Sequence, residues 1–172
     1  MPIARRLLLA TLSLSAYAQT GPFTAAQSAA GLALYQTHCA TCHLADLAGR
    51  NEAPQLAGGN FRNTWARRST RDLFVNMRST MPPSNPGGLG EDAYVNITAF
   101  LLHANGATPG PQPLTAATRL PLGSLINGQT PPDLRRILTA AANANQAGPP
   151  PHGRRPQGPH RLRRSPPLHP RY

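Results

Sequence analysis

The sequence predicts an all-α fold of about four helices, confined to the middle of a 172-residue chain. Two observations carry this. Between residues 24 and 106, stretches that open on helix-capping residues continue with apolar residues at helical spacing, separated by Gly- and Pro-marked loops. From Thr108 onward the composition changes, and 14 of the chain's 20 prolines lie beyond that point. The chain is read as four segments: 1–18, 19–107, 108–147 and 148–172.

Residues 1–18 have the make-up of a secretory signal. Arg5 and Arg6 give a positive start, Leu7 to Leu14 a short apolar run, and Ala16-Tyr17-Ala18 an A-x-A cleavage site. The run falls short of the ~20 apolar residues that span a bilayer. The expectation is export to a bacterial periplasm with a mature N-terminus near Gln19. Membrane attachment would require this segment to remain uncleaved.

Thr24-Ala25-Ala26-Gln27 is a capping-box pattern, and an Ala/Leu-rich helix follows to about Thr37. Gly31 interrupts it at a cost of roughly 1 kcal/mol against Ala, and a close helix crossing would explain its presence. The helix runs into Cys39-Ala40-Thr41-Cys42-His43, which holds the only two cysteines of the chain. Residues three and four apart share a helix face, so both thiols and the imidazole can address one flat ligand. This is the C-x-x-C-H pattern of covalent haem attachment, in which the thiols form thioethers and the imidazole Nε2 binds iron.

The same five residues also suit a redox dithiol or half a zinc site. Zinc needs a second pair of ligands. No further Cys exists, and His38, His103, His152, His160 and His169 form no pair at zinc-ligand spacing. A thioredoxin-like dithiol belongs in a βαβ unit, whereas this motif ends a helical pattern. A disulfide here would close a tiny loop and stabilise little. Haem attachment is the reading that context supports.

Leu44 to Asn60 is irregular, with Gly49, Pro54, Gly58 and Gly59. A ligating imidazole normally donates its Nδ1–H to a carbonyl, and the Ala53-Pro54 segment is the expected source. Pro54 and Leu56 are expected to pack on the porphyrin. Phe61 and Trp65 share one face of a short helix. Ser69 or Thr70 then caps a helix carrying Leu73, Phe74 and Met77, with Asp72 in its first turn. Met77 reads as a core residue. Met81 lies just past that helix, in a Pro- and Gly-rich segment that holds the backbone extended. It is the expected sixth ligand of the iron, ahead of Met77 and His103. Glu91-Asp92 opens a last helix with Tyr94, Ile97, Phe100 and Leu101 on its apolar side, ended by Asn105-Gly106. It is expected to cross the first helix near Gly31 through Phe100 or Tyr94, with His103 on the exposed side.

Together these features resemble the class I c-type cytochromes over residues 24–106: a first helix with Gly31, C-A-T-C-H, P-x-L-x-G at Pro54 to Gly58, Met81-Pro82, and an aromatic last helix. The run from Met81 to Leu89 is also similar to small haem domains associated with quinoprotein alcohol dehydrogenases. The resemblance implies a globule of a few helices around one covalent haem c and its iron. It implies a one-electron carrier rather than an enzyme. The expected donor is a periplasmic dehydrogenase, the acceptor a cytochrome or terminal oxidase, each met transiently. The alternatives are an open-site haem protein that senses a gas or acts as a peroxidase, which requires Met81 not to ligate, and a truncated haem domain of a quinohaemoprotein dehydrogenase.

The remainder reads as a Pro/Ala-rich linker over 108–147, with one short helix starting near Thr130. A Pro/Arg-rich tail over 148–172 follows, with six Arg, three His and no acidic residue. That composition suits disorder. The tail reads as a solvated appendage, as an out-of-frame reading of a GC-rich gene, or as an electrostatic handle. Net charge is +11, but without the tail and the first 18 residues nine Arg face six acidic residues, which leaves about +3. The haem domain itself is therefore no nucleic-acid binder.

Overall fold

A computed structural model of the protein describes residues 21–146. The expected signal at 1–18 and the basic tail at 148–172 lie outside the described residues. The helices are α1 (Ala25–His38), α2 (Ala40–His43), α3 (Gly59–Trp65), α4 (Thr70–Thr80), α5 (Glu91–Ala104) and α6 (Pro132–Gln146), with a 3-10 turn at Leu122–Ser124. The described residues form no strand beyond two isolated bridges, so the all-α class holds. Beyond the expected four stand the single turn α2 and the C-terminal α6, the latter where a short helix was expected to start near Thr130. No helix among the described residues is long and apolar enough to cross a membrane.

Two core helices, α1 and α4, begin for reasons visible in the sequence. Thr24 caps α1 through a complete capping box with Gln27. Ser69 and Asp72 form the equivalent box on α4, and the hydrogen bonds from Ser69 hold the Asp72 carboxyl below its ordinary pKa. Leu73, Phe74 and Met77 of α4 are buried, which places Met77 in the core as expected.

α1 and α5 cross at Gly31. A side chain there would overlap the Asn96 carbonyl and press on Phe100 Cβ, so the absent Cβ is what lets the backbones approach. Tyr35, one turn along α1, packs its ring 5.2 Å from that of Phe100. Phe100 is thus the aromatic at the crossing, and Tyr94 is engaged elsewhere.

Two expectations need correction. The stretch from Thr108 is not a free linker: it forms a strap bonded along the domain. Gly110 N donates to Phe23 O at 2.7 Å, Thr70 Oγ1 to Thr118 O at 2.6 Å, and Leu122 N to Arg68 O at 2.9 Å. Leu114, Leu122 and Ile126, and then Leu134 and Leu138 of α6, are buried in the same core. Proline suits such a strap, because each Pro removes one N–H that irregular backbone would otherwise have to satisfy. His103 is also not on an open face. It is half-buried, with Nδ1 2.9 Å from Ser28 Oγ and its ring 6.0 Å from that of Phe23.

Candidate functional site

The site starts where α1 stops. Cys39 ends α1 by donating its N–H to Tyr35 O at 2.8 Å, and its own carbonyl accepts from Cys42 N (3.1 Å) and His43 N (2.9 Å) to open α2. One helical turn therefore carries both thiols and the imidazole. The thiols are unbridged, Cys39 half-buried and Cys42 exposed.

Past His43 the chain reverses through Leu44, at φ 62 and ψ 156, a conformation that bulky residues seldom adopt. Tyr35 Oη holds it there, donating to Leu44 O at 2.7 Å. Leu47 and Asn51 also have positive φ. The loop closes on itself through paired Arg50–Ala53 hydrogen bonds of 3.0 Å and through Leu56 N to Leu47 O at 2.9 Å.

That loop returns Pro54 to the imidazole. His43 is buried, and its Nδ1 lies 2.9 Å from Pro54 O. A carbonyl can only accept, so Nδ1 carries the proton and Nε2 is left with its lone pair for a metal. Pro54 is exposed. Leu56 is half-buried against the core.

Met81, the expected distal ligand, lies at the end of α4. It caps α4 in extended conformation, its N–H donates to Met77 O at 2.8 Å, and its carbonyl accepts from Tyr94 Oη at 2.6 Å. Its side chain is half-buried on the core, as are Cys39, Leu56, Trp65 and Leu89. Neither Met77 nor His103 has comparable placement: one is enclosed among core side chains, the other bonded to Ser28.

The remaining chemistry of the motif is restricted. Burial first, and the neighbouring Cys42 second, push the Cys39 thiol up to about 11. A redox dithiol needs the opposite shift, toward the thiolate. Among the described residues no three His, Cys, Asp or Glu side chains gather as a metal site, which removes a closed zinc centre built from them. Two free thiols and a tautomer-fixed imidazole on one helical turn are a donor set that fits haem c.

Sequence reasoning missed one organising residue. Asn105 is fully buried; its Oδ1 accepts from Gly58 N at 3.0 Å, and its Nδ2 donates to Leu56 O (3.0 Å) and Leu101 O (2.9 Å). Its main-chain carbonyl accepts from Asn127 N and Gly128 N, both at 3.0 Å. It thereby joins α5, the loop behind His43 and the strap. The Asn-Gly pair after α5 signals a helix end, and nothing in it distinguishes an amide that also binds a distant loop.

Residues 26–101 match the family model described as cytochrome C oxidase, cbb3-type, subunit III. The span runs from the second residue of α1 into the last turn of α5 and includes Cys39, Cys42, His43 and Met81. No curated protein and no solved structure matches the chain.

Proposed function

Residues 26–101 form a class I c-type cytochrome domain that binds haem c covalently and transfers electrons, and from that premise we propose a periplasmic one-electron carrier with His/Met-ligated haem. Cys39 and Cys42 are its thioether attachments, His43 the proximal ligand and Met81 the distal ligand. The observation that carries the assignment is the 2.9 Å contact of His43 Nδ1 with Pro54 O, which leaves Nε2 free on the turn that bears both thiols.

When bound, the haem supplies an Fe(II)/Fe(III) couple, and a His/Met pair sets it at a higher potential than two nitrogen ligands do. The chain's residues do the rest. The Pro54 carbonyl fixes the imidazole tautomer and raises its basicity. The extended backbone at Met81 and the proline that follows limit where the thioether can go. Leu56, Trp65 and Leu89 offer half-buried apolar surface to exclude water. With His43 and Met81 both holding the iron, no position would remain for a substrate to bind.

The donor in this reading is a dehydrogenase, in keeping with the similarity of the Met81–Leu89 run to haem domains of quinoprotein dehydrogenases. A cytochrome or terminal oxidase takes the electron, and the matched family, an oxidase subunit, supports that side. Such partners meet through small, transient interfaces. Export rests on the signal-like make-up of residues 1–18.

The test is expression of the full chain in a bacterium that matures c-type cytochromes. A periplasmic protein that begins near Gln19, keeps one haem through denaturing electrophoresis and loses it when Cys39 and Cys42 are both replaced by Ala supports the reading. Haem that acidified organic solvent extracts, or a protein retained in the cytoplasm with residues 1–18, contradicts it.

A further inference from the structure

Tyr94 lies in the first turn of α5 and is fully buried. A buried phenol needs a hydrogen-bond partner, and this one donates to the main-chain carbonyl of Met81 at 2.6 Å. The Met81 amide is held from the other side, by Met77 O of its own helix. Among the described residues, only the Tyr94 bond therefore ties the Met81 backbone to a different element. Past Met81 the chain continues as Pro82-Pro83-Ser84-Asn85-Pro86-Gly87-Gly88, bonded internally from Asn85 N to Pro82 O and from Gly88 N to Asn85 O.

That element is also the one fixed relative to His43. α5 is locked across α1 at Gly31, and α1 ends in the turn that carries Cys39, Cys42 and His43. A methionine side chain is unbranched and flexible, so where its sulfur can reach depends on where its backbone is pinned. Taking Met81 as the distal ligand, we propose that Tyr94 is its positioning residue: the phenol sets the Met81 backbone against the α1–α5 frame, and so sets the strength with which the thioether holds the iron.

The test is a titration of the ferric holoprotein with imidazole, an exogenous ligand that must displace a methionine to bind, followed by the haem spectrum. Four proteins are compared: wild type, Tyr94→Phe, Met81→Ala and the double variant. Phe fills the same space without the hydroxyl. Loss of one neutral hydrogen bond is expected to raise the apparent imidazole affinity about fivefold with Met81 present, and to leave it unchanged in the Met81→Ala background. Unchanged affinity in Tyr94→Phe, or the same rise in both backgrounds, would overturn the role of Tyr94. If Met81→Ala alone binds imidazole no more tightly than wild type, Met81 is not the ligand, and the proposal falls with that assignment.

Discussion

The side chain of Asn105 accepts a hydrogen bond from the backbone N–H of Gly58 at 3.0 Å, across 47 residues of sequence. With Leu56 O bound to the same amide, the end of α5 fixes the loop that brings the Pro54 carbonyl to His43. Truncation to Asn105→Ala would strand buried polar backbone in the loop and at the helix end, at about 1–3 kcal/mol for each group not rescued by water. The expected loss for the holoprotein is about 2–4 kcal/mol, read by urea unfolding. A loss under ~0.5 kcal/mol, the size of a surface substitution, would mean that Asn105 does not organise the loop.

Leu138 and Ile137 are neighbours on α6 with opposite environments, one buried and the other 49% exposed. If α6 is part of the folded unit, Leu138→Ala should cost about 2–4 kcal/mol. Ile137→Gln should change stability by less than ~0.5 kcal/mol. Urea denaturation of both variants separates a docked helix from a flexible appendage, for which neither substitution matters.

Burial holds the pKa of His103 below the ordinary 6.5, against a weaker opposing pull from Asp133 of α6. The unfolded chain therefore takes up this proton first as pH falls. The contribution of His103 is complete above about pH 6.5 and is lost as the pH drops through its depressed folded value. His103→Gln should flatten the decline in unfolding free energy on the acid side of pH 6.5. An identical pH profile in the variant would show that His103 is not buried neutral in this way.

Much of the fold was legible because its signals are local. The Thr24–Gln27 box, the Cys39-x-x-Cys42-His43 turn and the apolar face of α4 are each set within a few residues. Gly31 pointed to the α1–α5 crossing because a glycine that costs helix stability needs a packing reason. The contacts around the site that were not foreseen act over distance. Tyr94 meets Met81 O thirteen residues away, and Asn105 meets Leu56 O at forty-nine. Neither partner can be read from periodicity. The strap was misjudged for a different reason: its prolines mimic a linker, while Leu114, Leu122 and Ile126 are set among Pro, Gly, Thr and Ser that interrupt any helical or strand run. Their burial depends on where the strap is bonded to Phe23, Thr70 and Arg68.

The most direct test of His/Met ligation is the optical spectrum of the purified holoprotein, ferric and ferrous, for wild type and Met81→Ala. The prediction is a low-spin haem whose weak red band, from methionine-to-iron charge transfer, is present in ferric wild type and absent from the variant. A high-spin ferric spectrum in wild type, unaltered by the substitution and shifted by carbon monoxide on reduction, would contradict it and show an open distal site.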